Sequence, residues 1–169
     1  MEYFDVYDNH QRRTGKILPR GTALKNGENK LVVSACLFNS KGELLIQKRS
    51  KNKAQFPDYW DKSVAGGIIA GETSAQAIER EIEEELGIKI NMTNKRVGLQ
   101  TSWSHGWGDI YFVDCEIEIK QLNIRTEEVE EVRWVNEEEL NQLIDEGKFI
   151  PYFYAKQLFK IHSIDEEYV

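Results

Sequence analysis

Three glutamates, Glu81, Glu84 and Glu85, stand at positions i, i+3 and i+4. On a helix each residue turns the chain by about 100°, so the three carboxylates fall within one arc of roughly 100°. Like charges at that spacing repel by about 0.2–0.5 kcal/mol per pair even when exposed. Convergence on one face therefore calls for a compensating charge. A hard divalent cation, Mg²⁺ or Mn²⁺, held through oxygen ligands turns the repulsion into coordination. A solvated acidic helix face is the competing interpretation, and spacing alone leaves the two open.

Other residues could also do chemistry. Lys48, Arg49, Lys51 and Lys53 form a basic cluster that either meets substrate phosphates or lines a solvated loop. Trp103 and Trp107 flank His105, where aromatic rings could stack on a base or sugar, although core or rim packing is the commoner use. His105 has the chemistry of a proton carrier, but a lone loop histidine usually has no catalytic part. Glu127 and Glu128 are loop candidates for a general base, against the plainer expectation of a solvated acidic turn over residues 127–131.

The element that must carry the three glutamates is well marked. Thr73 can cap a helix with Gln76 completing a capping box, and Gly87 follows Leu86 as a stop, which predicts a helix over residues 74–86. Ala75, Ile78, Ile82 and Leu86 make an apolar stripe beside the acidic one, and Glu79 and Glu83 point away. Strands are predicted over residues 31–38 and 44–47 around a turn at Gly42, and over 59–65, 97–103, 109–119 and 132–135. Residues 48–57 read as a loop, and Gly106 and Gly108 as a turn. Helices follow over 137–146 and about 152–162. Neighbouring strands with few helices fit a mixed sheet covered on its faces better than a doubly wound parallel fold.

Composition sets the outer limits. A chain of 169 residues with 40% apolar and 30% charged side chains suits one globular domain, taken as residues 1–169. The net charge of −7 argues against a nucleic-acid surface and makes a cation necessary for work on phosphates. The residues Met1 to Asp5 lack the pattern of a secretory signal and no apolar run reaches membrane-span length, so a cytoplasmic protein is expected. Cys36 and Cys115 sit in apolar strand-like runs without metal spacing and read as buried free thiols. The aromatics of residues 149–159 suggest packing or a homodimer contact.

Gly66, Glu72, Arg80, Glu81, Ile82, Glu84, Glu85, Gly87 and Ile88 fill every fixed position of the pattern known as the Nudix box. The chain thus resembles the Nudix hydrolases, in a box spanning residues 66–88. The resemblance implies an α/β/α sandwich around a central mixed sheet. It further implies Mg²⁺ or Mn²⁺ held by Glu81, Glu84 and Glu85, often with the backbone carbonyl of Ala65, and a small-molecule diphosphate substrate. Glu72 and Arg80 match a structural pair: a loop carboxylate on a guanidinium pins the loop to the helix. Gly66 and Gly67 are expected to let the backbone turn tightly or approach a ligand.

Outside the box, Leu37-Phe38-Asn39, Gly42, Leu44-Leu45, Gln47, Arg49, Lys53, Pro57 and Trp60 are similar to the branch that includes isopentenyl diphosphate isomerase. Those isomerases carry a catalytic Cys and a metal-binding His in Asn-Ser-Val-Cys-Gly-His, where this chain has Lys62-Ser63-Val64-Ala65-Gly66-Gly67. Hydrolysis of a diphosphate bond in a nucleoside diphosphate linked to another moiety is therefore the leading expectation. An isomerase-like enzyme and a non-catalytic nucleotide-binding module are the alternatives.

Overall fold

A computed structural model describes residues 1–167, with side chains as far as residue 164. At its centre, strand β3 (Lys30–Phe38) runs parallel to β8 (Gly106–Asp114), in unbroken register from Lys30↔Gly106 to Phe38↔Asp114. Their apolar sequences suit this place, because a central strand is buried on both faces. β7 (Leu99–Trp103) adds antiparallel to β8. The other edge of β3 is shared: β4 (Leu44–Arg49) pairs at Phe38↔Leu44, while β6 (Val64–Gly67) pairs from Val32↔Gly67 to Ala35↔Val64. β4 continues the sheet through β5 (Trp60–Asp61) and β9 (Val129–Val135).

Alternation along β3 assigns the two faces. Leu31, Val33, Ala35 and Leu37 pack with Ile78, Ile82 and Leu86 of helix α1 (Ser74–Leu86). Cys36 and Phe38 pack with Leu140 and Leu143 of α2 (Glu137–Asp145) and with Leu158 at the start of α3 (Leu158–Glu167). The result is an α/β/α sandwich around a mixed sheet. Each fully buried Ile or Leu of α1 is worth about 1.5–3 kcal/mol, against about 1 kcal/mol for its N-cap, so packing dominates the helix's stability.

Helix α1 has the expected bounds, with both capping-box hydrogen bonds formed and Gly87 left-handed at φ 71°. Elsewhere the boundaries move. The 59–65 strand splits into β5 and β6, the 109–119 strand begins at Gly106 and stops at Asp114, and β9 starts three residues before position 132. The 152–162 helix opens instead with a 3-10 turn, Ala155–Gln157, before α3. Gly106 and Gly108 do not form the turn: His105 does, at φ 64°, and both glycines lie in β8, where a side chain would strike Trp103 and Thr101. Two strands had no legible sequence signal. β1 (Tyr3–Tyr7) and β2 (Arg13–Pro19) form a separate antiparallel hairpin, and β2 is largely exposed, so no apolar alternation marks it.

Helices α2 and α3 cover the Phe38 end of their sheet face and leave the Val32–Ser34 end open. There a cleft of about 980 Å³ reaches β6, the β1–β2 hairpin and residues 150–154. No helix among the described residues is long and apolar enough to cross a membrane.

Candidate active site

The residues of the acidic helix meet the sheet at the free edge of β6. An extended residue points its N–H and C=O to the same edge, alternately toward and away from its neighbour strand. At Ala65 that edge faces α1, since its N–H lies 3.4 Å from a carboxylate oxygen of Glu85. Its carbonyl shares that edge. Gly66, one residue on, turns its side-chain position toward α1, where a Cβ would collide with the Glu81 carboxylate. Gly66 and Gly67 therefore lie in a strand and not in a turn, and the glycine is needed at 66 for close approach.

Arg80 is the hub of the box. Its Nε and Nη2 donate to both oxygens of Glu72 at 2.8 and 3.0 Å, Nη1 donates to Glu81 at 2.8 Å, and Nη2 also reaches the Gly67 carbonyl at 3.0 Å. Burial pushes the Glu72 carboxyl up, but the Arg80 hydrogen bonds outweigh it and hold it below the usual carboxylate range. The expected pairing of Glu72 with Arg80 is thus present. The hairpin reinforces it: Asp5 accepts from the Gly71 N–H at 2.8 Å, and the Arg13 guanidinium donates to the Glu72 carbonyl. Sequence reasoning missed this brace.

Glu81 and Glu85 are buried, at 8% and 3% exposure, and Glu84 stays at the rim. Glu85 accepts from Gln47 Nε2 at 3.0 Å. Burial, followed by the Glu81 charge, pushes its carboxyl up to about 8. Burial likewise raises Glu81, against the opposing pull of Arg80. Glu84 lies 3.6 Å from Arg80 and 3.7 Å from Arg125. As the side chains stand, no group of three acids, histidines or cysteines among the described residues is gathered closely enough to hold a metal ion.

The donor set nevertheless fits a hard cation. It consists of oxygens only, two of its carboxylates are buried with Arg80 bonded to only one of them, and beside them Gln47 Oε1 is buried without a hydrogen-bond partner. Glu79, expected to point away, instead accepts from the Met92 N–H at 3.1 Å and ties down the loop after the helix.

The remaining candidates separate. Glu128 is half-buried, contributes to the field at both Glu81 and Glu85, and pairs with Lys53 at 2.5 Å. Glu127 is exposed and pairs with Arg125. Of the basic cluster, Arg49 and Lys53 line the cleft, whereas Lys48 and Lys51 pair with Glu130. Trp103 is exposed on the cleft rim, but Trp107 is half-buried and donates to the Asp8 carbonyl at 3.0 Å. His105 forms the exposed turn. In residues 149–159, Phe149, Tyr154 and Leu158 pack inward while Phe153 is exposed. Cys36 is buried and Cys115 half-buried, both free thiols pushed by burial up to about 12. In sequence, Gln47 and Lys62 stand out only through the isomerase resemblance, Tyr152 and Tyr154 only among the packing aromatics, and Asp61 not at all. Charged Asp61-Lys62 within an apolar strand-like stretch was the available signal.

Comparison with known proteins agrees with this architecture. Residues 28–157 match the NUDIX domain model. An uncharacterised Nudix hydrolase of Listeria innocua is 45% identical over 163 residues, covering 96% of both chains. The crystal structure of a Deinococcus radiodurans protein superposes with a TM-score of 0.77 at 25% identity, covering 94% of this chain and 98% of that one. The isopentenyl-diphosphate isomerase of Escherichia coli is 42% identical over 60 residues, 36% of this chain and 33% of that one. With the domain matched over most of its length and a relative similar nearly end to end, the chain belongs to the Nudix hydrolase family.

Proposed function

We propose that the protein hydrolyses a phosphoric anhydride bond in a small-molecule diphosphate, a nucleoside diphosphate linked to another moiety, with Mg²⁺ or Mn²⁺. The observation that carries this is the pair of buried glutamates, Glu81 and Glu85, wired to Arg80 and Gln47 at the free edge of β6. Buried carboxylates so close together are costly unless a cation offsets them. Glu81, Glu84, Glu85 and the Ala65 carbonyl would hold the metal, with Gln47 Oε1 adjacent. Bound there, it would neutralise phosphate oxygens and acidify water.

The chain's own residues prepare the rest. Arg80 and Glu72 fix the loop against the helix, and Gln47 orients Glu85. Arg49 and Lys53 present positive charge to phosphate oxygens from the cleft wall. To Glu128, a half-buried loop carboxylate whose charge bears on Glu81 and Glu85, we assign the part of accepting a proton from water. Burial raises its proton affinity, but the Lys53 hydrogen bond and the Lys53 and Arg125 charges outweigh that and keep it ionised.

Similarity to isomerases gives a second possibility its weight. Protonating an alkene needs an acid beside it. Ala65 supplies none, and that weighs against isomerisation. A screen of nucleoside diphosphate derivatives and isopentenyl diphosphate with Mg²⁺ or Mn²⁺ decides between them. We expect cleavage of at least one diphosphate by the wild type and a loss of about a hundredfold or more in Glu84→Gln, beyond what an outer-shell change costs. An isoprenoid isomer with no diphosphate cleaved would overturn the proposal.

A further inference from the structure

Lys62 is a lysine almost without solvent exposure, at 2%, in the wall of the cleft. It sits on the face of α2 and α3, across β6 from the acidic helix. Its Nζ donates to Tyr154 Oη at 3.0 Å and lies 3.4 Å above the centre of the Tyr152 ring. Asp61 Oδ1, at 3.8 Å, is beyond hydrogen-bond length. An ammonium has three donors. One is therefore left without an acceptor.

Asp61 is engaged by other donors and does not reach Nζ. It is 1% exposed, and its oxygens already accept from the Lys62 N–H at 2.7 Å, Tyr152 Oη at 2.9 Å and Arg49 at 3.4 Å. Two cations, Arg49 and Lys62, thus share one carboxylate beside the cleft. Burial lowers the proton affinity of Lys62, with Asp61 opposing it, and an anion at Nζ would act in the same sense as Asp61. A lysine kept only for packing needs neither the cleft nor the surplus charge, and buried ammonium groups are costly when incompletely paired.

We infer that Lys62, aided by Arg49 and positioned by Tyr152 and Tyr154, is a binding residue for an oxyanion, a phosphoryl or carboxylate group on the part of the substrate that is not cleaved. Assigning this oxyanion to a diphosphate substrate rests on the function proposed above; the binding site itself does not. It makes Lys62 a determinant of which linked moiety is accepted. The unpaired donor and the Arg49 charge would select anionic over neutral groups, because a site built to hydrogen-bond a group rejects analogues lacking it.

The test is a titration of the full-length protein with inorganic phosphate and, separately, with acetate, in EDTA, followed through its amide resonances. The expected result is perturbation around Lys62 and Tyr154, with affinity reduced about tenfold or more in Lys62→Met and by less in Tyr154→Phe, as for loss of a charged hydrogen bond. Glu84→Gln should bind like the wild type. A response to phosphate alone assigns a phosphoryl group, and one to acetate alone a carboxylate. Absence of binding, or equal binding by folded Lys62→Met, overturns the inference. Should Lys62→Met not fold, Tyr154→Phe and Arg49→Met decide: unchanged binding in both overturns it. Lys62-dependent binding without diphosphate cleavage by the wild type would reject the proposed function and leave this site standing.

Discussion

The two sides of β6 carry opposite chemistry and were built in opposite ways. On the α1 side, buried glutamates come from one helix, whose caps, stripe and spacing all sit within residues 66–88. On the cleft side, Arg49, Asp61, Lys62, Tyr152 and Tyr154 come from segments about a hundred positions apart in the chain and meet only because β4, β5 and the stretch after α2 fold onto one end of the sheet. Excess charge is thus held on either side of one strand, each side having its own hydrogen-bonding scaffold. One side is left to be completed by a cation, and the other, on our inference, by an anion.

The largest expected effect tests the negative side. Glu85 is raised from the ordinary 4.5 to about 8 by burial and by Glu81. Since the folded state binds this proton more tightly than the unfolded chain, the stabilisation is complete below about 4.5 and is lost as pH rises through about 8. In EDTA the melting temperature should therefore fall across that window, and Glu85→Gln should flatten the fall. Mg²⁺ should restore stability chiefly at the alkaline end. An identical pH profile in wild type and variant would mean that Glu85 stores no excess negative charge on the α1 side.

Next is Arg80→Ala, which strips Glu72, Glu81 and the Gly67 carbonyl of a shared donor. A loss of about 2–3 kcal/mol is expected by denaturant unfolding, after allowing for partial solvent screening of the pairs. Gly66→Ala should cost about 1–2 kcal/mol by forcing Glu81 away from β6, and it should weaken the metal-induced rise in melting temperature more than the stability itself. The smallest effect belongs to Thr73→Ala, about 1 kcal/mol from the lost cap, with the metal response retained. A loss of metal response in that variant would show that the helix end, and not the strand edge, sets the site.

Legibility followed the range of the forces. Helix α1 could be read to the residue because its signals lie within a turn or two of where they act. The glycines at 66, 106 and 108 misled as turn markers, since they admit a carboxylate, an indole and a hydroxyl from another element, and glycine alone does not show which close approach it serves. The β1–β2 hairpin escaped because an exposed strand need not alternate, yet through Asp5 and Arg13 it braces the loop that carries Glu72. Glu127 and Glu128 look alike in sequence; only the packing of β9 against β4 buries one and exposes the other.

By itself, then, the sequence determined the family resemblance, the acidic helix, its caps and the set of oxygen donors, all of which depend on spacing along one element. Tertiary structure alone decided that Glu81 and Glu85 are buried while Glu84 faces arginines, that Gln47 orients Glu85, and that Lys62 lies beneath two tyrosines. The physical reason is that burial and hydrogen-bond partnership are properties of what surrounds a residue, and those surroundings are assembled from distant parts of the chain.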